Sequence, residues 1–215
     1  IDAGTNEAGE DVVSYLKEQG VQKLDYVVGT HPHEDHIGGL DDVIEAFDVE
    51  HVVLPDKVST TKTYEEVLDA VDAKNLSVTP QDAGWDDNNS SVVCRLSFGE
   101  NSFLFMGDAE TQAEKELLKQ GADVKSQVLK LGHHGSDTST SQEFLQQVAP
   151  QYGVISVGKG NVYGHPEDRV LQRLEENDVT YFRTDEMGTI VAKADGQNLS
   201  FYPQCKGQEE DDQPQ

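Results

Sequence analysis

The sequence predicts a mixed α/β fold, with helices covering sheets that hold both parallel and antiparallel strands. Two observations carry this. Helical apolar spacing alternates with strand-sized apolar runs almost throughout the chain. Residues 91–98 and 102–106 form two strands joined only by Gly99-Glu100-Asn101, a hairpin signal that a purely parallel, doubly wound sheet would not contain. In order, residues 8–18 have helical spacing through Val12, Val13 and Leu16, with Gly20 just beyond. Residues 24–30 are a strand ending on His31, residues 39–47 a helix, 49–54 a strand and 62–74 a helix. After the hairpin comes a helix at 110–120, stopped by Gly121, then a strand at 128–131 ending on Gly132-His133-His134-Gly135-Ser136. A helix at 140–149, a strand at 152–157, the turn-rich stretch GKGNVYGHPED, a helix at 167–177 and strands at 179–184 and 189–202 finish the chain. No repeat or clean linker interrupts this order, so one domain over residues 1–205 is expected. The acidic tail at 206–215 is expected to be disordered.

Charge bounds the function. Forty-one acidic residues against 16 basic ones give a formal net charge of −25, which repels nucleic acid and anionic membrane at long range. Solubility is the plain reading of this acidity; an acidic surface that admits cations around a locally positive metal site is the functional one. Hydrophobic residues make up 35%, enough for a core, and no apolar run approaches the ~20 residues of a membrane span. The two cysteines, Cys94 and Cys205, are far apart and form no CxxC pair, so neither a thiolate site nor a disulfide framework is indicated. High acidity and a first residue, Ile1, that is not Met lead to the expectation of a secreted or extracytoplasmic protein, with a cytoplasmic home as the alternative.

The chemistry concentrates at strand ends. Three of the seven histidines fall between positions 31 and 36, in THPHEDHIGG. His31 and His33 alternate, so their side chains converge on an extended segment, and Asp35 and His36 follow at a turn. Neutral imidazoles and a carboxylate suit zinc, manganese or iron. Gly38 and Gly39 let the backbone turn tightly beside them. Asp108, in FMGDAE, precedes a helix and by itself reads as an N-cap; beside the histidine cluster it becomes a candidate bridge between two metals. Of His133 and His134, one would supply a remaining ligand and the other would orient or contact substrate. Asp2, in IDAG, is a candidate hydrogen-bond partner of a ligand histidine or plain turn chemistry. His165 is a candidate proton donor to a leaving group, or phosphate contact, or simply a turn histidine before Pro166. His51, inside a strand, reads as structural. The sequence has no GxSxG and no Gly-rich phosphate loop, and Cys94 sits in a strand, so a metal-bound hydroxide is the expected attacker.

THPHEDHIGG, followed by GDAE and LGHHGS, resembles the metallo-β-lactamase superfamily. The finer pattern is similar to the C-terminal domain of the competence protein ComEC and its free-standing relatives: IDAG, Asn88-x-x-Ser91 before VVCRL, GDAE, HHGSDTSTS and YGHP. The resemblance implies a four-layered αββα sandwich holding two divalent ions, zinc or manganese. It implies one ion on His31 and His33, the other on Asp35, His36 and His134, with Asp108 bridging and His133 the second choice for the last ligand. Asp35 and His165 are the catalytic candidates; Asp2, Asn88, Ser91, His133 and Ser136 are expected around the ligands or substrate. Two departures matter. Asn88 and Ser91 stand where the superfamily usually supplies a further histidine, which weakens the first metal's shell and favours manganese over zinc. Two strands before IDAG, and more chain between Trp85 and Asp86, are expected in the family. The expected function is a dinuclear phosphodiesterase or nuclease acting on DNA or a smaller phosphodiester. The alternatives are a carboxylic ester or lactam hydrolase, and a non-catalytic metal-binding module in DNA uptake or surface attachment. The oligomeric state is not legible.

Overall fold

The computed structural model describes residues 1–57, 59–76, 78–81 and 86–204, residues 78–81 by their backbone. Trp85, Cys205 and the acidic tail lie outside the described residues. The chain clusters into two compact units, one of residues 1–93 with 107–109, the other of residues 94–106 with 110–215.

The first unit is a parallel sheet covered by helices. Helix α1 (Gly9–Glu18) places Val12, Val13 and Leu16 against the core and ends where the N–H groups of Gln19 and Gly20 turn back onto the Tyr15 and Lys17 carbonyls. Strand β1 (Lys23–Val28) leads into the short helix α2 (Glu34–Ile37), then α3 (Leu40–Ala46), β2 (Asp48–Pro55), α4 (Lys62–Ala73) and β3 (Val78–Gln81). The strand order is β1-β2-β3, all parallel, with Val27 opposite Val52 and Val28 opposite Val53. Helix α4 begins at Thr61, whose hydroxyl accepts from the Tyr64 N–H, and buries Tyr64, Val67 and Val71, one helical face at spacings of three and four. With Ile44, Leu40, Val52 and Leu54 they form one core; full burial of each aliphatic side chain contributes about 1.5–3 kcal/mol. Strand β3, short and containing a proline, is an element the apolar pattern does not reveal.

The second unit contains the mixed sheet. Strands β4 (Cys94–Phe98) and β5 (Asn101–Phe105) form the expected antiparallel hairpin, turning at Gly99 with φ +58°. Then follow α5 (Thr111–Lys119), β6 (Val128–Lys130), α6 (Gln142–Val148), β7 (Tyr152–Ile155), α7 (Asp168–Glu176), β8 (Thr180–Arg183), a single turn α8 (Thr184–Met187), β9 (Thr189–Ala194) and β10 (Leu199–Gln204). The five-stranded order is β4-β5-β6-β7-β8, parallel from β5 onward. Parallel strands deliver their C-terminal ends to one edge, so the loops after β6 and β7, which carry the later histidines, emerge together. Residues 189–202 are not one strand. Asp195 Oδ1 accepts from the Gln197 and Asn198 N–H groups, and Gly196 takes φ +92°, which folds the segment into the β9–β10 hairpin. Phe201 anchors that hairpin on Phe182 and Tyr152, at ring separations of 4.5 and 4.8 Å.

Candidate metal centre and histidine loop

In the first unit, β1 ends and the chain passes through Thr30 into the histidine cluster. Residues 2–4 run alongside: the Asp2 N–H donates to the Val28 carbonyl and the Ala3 N–H to the His36 carbonyl, both at 2.8 Å. This lays the Asp2 carboxylate beneath the cluster. Its Oδ1 accepts from the Thr30 N–H at 2.8 Å, and its Oδ2 from the Thr30 hydroxyl and from His36 Nδ1, both at 2.9 Å. Thr30 Oγ1, its proton given to Asp2, sits 3.1 Å from His31 Nδ1 and is there as the acceptor. Both imidazoles are thus held through Nδ1, and both turn Nε2 away from the holder. Gly38 and Gly39 make this approach sterically feasible: a Cβ on Gly38 would lie 2.2 Å from the Asn6 nitrogen, and one on Gly39 2.6 Å from Gly9 Cα.

The two Nε2 atoms face Asp108. His31, His36 and Asp108 are buried, and their ligand atoms lie within 4.8 Å of one another, a group suited to holding a metal ion. Each carboxylate oxygen faces a different histidine: Oδ1 is 3.2 Å from His36 Nε2 and Oδ2 is 3.8 Å from His31 Nε2. Asp108 is not a helix cap. Helix α5 begins at Glu110 without a side-chain cap, and the Asp108 N–H donates to Ser91 Oγ at 3.0 Å. Ser91 therefore fixes the backbone of the candidate bridging residue. Asn88 lies in the preceding turn, where its carbonyl accepts from the Ser91 N–H.

His33 is half-exposed, with Nδ1 3.0 Å from His31 Nε2, close to the separation of two donors on one ion with ~2.0 Å bonds. Its Nε2 is 3.7 Å from Asp87, which also pairs with Lys57 at 3.3 Å. Asp35 is exposed, its Oδ2 3.8 Å from His36 Nε2.

Burial and charge set the protonation of this group. Burial drives the His31 imidazole down to about 3, and repulsion from His36 adds to the depression, so His31 is neutral. Burial would lower His36 as well, but hydrogen bonds to Asp108 and Asp2 push it up to about 9. Burial would raise Asp2, yet its bonds to His36 and Thr30 hold the carboxylate below its usual range. His36 is thus an imidazolium whose two N–H groups face one carboxylate each, Nδ1 toward Asp2 and Nε2 toward Asp108.

The second unit carries the other histidines. His133 and His134 take φ of +46° and +52°, a left-handed conformation that costs about 1–3 kcal/mol per non-glycine residue and persists only where its surroundings hold it. They do so here. His134 Nδ1 donates to the Ser156 carbonyl at 2.7 Å; His133 Nδ1 pairs with Glu110 Oε1 at 3.0 Å. The Thr138 hydroxyl donates to that same Glu110 oxygen at 2.9 Å, and Ser136 Oγ lies 3.0 Å from Thr138 Oγ1. Ser136 is buried and braces the loop. His165 is half-buried, its ring centre 5.6 Å from that of His133.

Motif reading missed Thr30 and Glu110. Thr30 was hidden as the last residue of a strand, and Glu110 as an ordinary acidic residue at a helix start; each follows or precedes a motif residue, which was the only signal. His51 lies in β2, half-exposed, with its ring 4.8 Å from that of Tyr26, its cross-strand neighbour.

Known proteins bear on this geometry. The metallo-beta-lactamase superfamily model matches residues 1–159. The chain belongs to the metallo-β-lactamase superfamily. It is 33% identical to ComE operon protein 3 of Bacillus subtilis (strain 168), over 91% of this chain and 28% of that protein. It is 36% identical to competence protein ComA of Neisseria gonorrhoeae, over 88% of this chain and 28% of that protein. Recombination protein 2 of Haemophilus influenzae is 28% identical over 80% of this chain and 22% of its own length. The chain thus spans less than a third of the curated relatives it matches. Family and ligand group together support a metal-dependent hydrolase in the general sense. Among the described residues no helix is long and apolar enough to cross a membrane.

Proposed function

We propose that the chain is a metal-dependent phosphodiesterase that cleaves nucleic-acid-type phosphodiesters. The observation that carries the proposal is Asp108, whose two oxygens face two buried imidazoles with their Nε2 atoms turned toward it. That arrangement fits a carboxylate shared between two divalent ions, zinc or manganese. By this reading His31 and His33 hold one ion, and Asp35 and His36 the other. His134 is proposed as the further ligand on the strength of its motif, and the Ser156 carbonyl, accepting from its Nδ1, fixes the ring orientation. Bound there, the ions would polarise a phosphoryl oxygen and lower the pKa of a water toward ~7. The chain's own contribution is orientation: Asp2 and Thr30 lock the ligand rings, Ser91 fixes Asp108, and Glu110 holds His133 for contact with substrate. His165 is the proposed proton donor to the leaving group.

Diester chemistry is favoured over lactam chemistry because Asn88 and Ser91 occupy the place of a superfamily histidine, and Ser91 Oγ accepts from the Asp108 N–H. The names of the relatives, competence and recombination proteins, point toward DNA as the diester. A secreted or extracytoplasmic location is proposed with it, on the acidity alone. The test is metal content together with hydrolysis of bis(p-nitrophenyl) phosphate and of a chromogenic lactam, using chelator, His33→Ala and Asp108→Ala. Diester turnover lost in all three is expected. Turnover surviving them, or lactam turnover exceeding it, removes the proposal.

A further inference from the structure

Among the described residues, the most exposed large apolar side chains lie together at the tip of one turn: Val162 at 91% and Tyr163 at 79%. This turn is not loose. Asn161 Oδ1 accepts from the His165 N–H at 3.1 Å, and its Nδ2 donates to the His165 carbonyl at 2.7 Å and to the Gly158 carbonyl at 3.1 Å. One side chain thereby clamps both ends of the tip. A Cβ on Gly158, Gly160 or Gly164 would meet nothing within 4 Å, so the space around the turn is open. The Tyr163 ring lies nearly parallel to that of His165, at 15° and 5.9 Å between centres. His165 in turn meets His133, which Glu110 fixes. Three rings thus run from the histidine loop to solvent, and the last of them presents a bare aromatic face.

We propose that Tyr163 is a stacking platform for a nucleobase of the substrate, with His165 behind it and Asn161 as the residue that positions it. The inference rests on the phosphodiesterase reading and names a part of the substrate, its base, that this turn would hold. A single open, rigidly held aromatic face suits a planar ring approaching from one side. A quaternary ammonium headgroup, the other ligand that aromatic rings favour, is bound in a cage of several walls. The net charge of −25 denies this chain any long-range attraction for a polyanion, and stacking holds a base without needing one.

The experiment compares a fluorescently labelled oligothymidylate with an abasic oligonucleotide of the same length, using the metal-loaded chain. Tyr163→Ala is expected to lower the ratio of kcat/KM for the two substrates about five- to hundredfold, through KM. Tyr163→Phe should keep the ratio and Asn161→Ala should lower it. An unchanged ratio in Tyr163→Ala, or Tyr163→Phe as damaging as Ala, overturns the platform. Fluorescence anisotropy of the same oligonucleotides with the chelated protein separates the two ideas. If the wild type cleaves neither substrate but prefers the one with bases, and Tyr163→Ala loses that preference, the phosphodiesterase reading falls and the platform stands. Absence of any preference, or displacement by phosphorylcholine at matched concentration, overturns the platform.

Discussion

Each unit carries histidines on a loop that follows a parallel strand, yet the two groups are built in opposite ways. In the first unit the heart of the ligand group is sealed: His31, His36 and Asp108 are buried, with His33 and Asp35 exposed beside them, and the two buried imidazoles are held by the side chains of Asp2 and Thr30. In the second unit His133, His134 and His165 are half-exposed, and their supports are a carbonyl, a partly exposed Glu110 and an Asn-clamped turn. Sealing raises the strength of electrostatic interactions and forces each donor to be satisfied internally. Exposure leaves ring edges and faces available. The difference separates a buried group suited to gripping an ion from an exposed one in which His133 and His165 are suited to meeting a substrate, and each side of it can be tested.

The largest effects belong to the sealed group. Asp108→Ala and His36→Ala should each lower metal affinity by more than about 100-fold, read by equilibrium dialysis, and abolish diester turnover. Next come the holders. Asp2→Asn and Thr30→Val, neither offering an atom to the metal, should cost about 10–100-fold in metal affinity, since each frees a ligand ring to rotate. If Asp2→Asn binds metal like the wild type, the buried network is not what orients His36. The exposed group should behave differently: Glu110→Ala should retain full metal content and lose about tenfold in kcat/KM, the worth of one hydrogen bond, with Glu110→Gln recovering part of it. Loss of metal from Glu110→Ala would erase the proposed distinction between the two groups.

The smallest and most specific effect is one of pH, in chelated protein. His36 is raised from 6.5 to about 9, so its contribution to stability is complete below 6.5 and fades as pH rises toward 9. His31 is depressed from 6.5 to about 3, so its contribution is complete above 6.5 and fades as pH falls toward 3. Considered together, these two residues place their joint optimum near pH 6.5 in the metal-free chain. Denaturant midpoints measured across this range should peak there, and the Asp2→Asn variant should flatten the alkaline side. A monotonic profile in the wild type would contradict a charged His36 held between Asp2 and Asp108.

Much of this was legible in the chain. The mixed sheet followed from the hairpin at Gly99, and the ligand loop from the spacing of His31, His33 and His36, because metal chemistry demands specific residue types at short separation. Asp2 was recognisable as a candidate partner of a ligand histidine, but which histidine it serves depends on residues 2–4 pairing beside β1, a contact between distant positions that no local pattern encodes. Thr30 and Glu110 escaped for the same reason. A threonine at a strand end and a glutamate at a helix start are the most ordinary occupants of those positions, and only the tertiary approach of Asp2 or His133 gives them a task. Asp108 shows the limit of a local rule: by itself an aspartate before a helix reads as a cap, the neighbouring histidine motif makes it a candidate bridge instead, and in the fold its N–H donates to Ser91 Oγ.

The two glycines after the ligand cluster have one more consequence. Neither offers a donor atom, yet a methyl group at Gly38 or Gly39 would displace the backbone of residues 3–9 and with it the segment that carries Asp2. In a saturation library selected for activity, these positions should reject even alanine as firmly as His36 rejects substitution. A tolerance map would therefore mark a block of intolerant positions running from His31 through Gly39, of which the last two act purely as clearance for a distant stretch of the same chain.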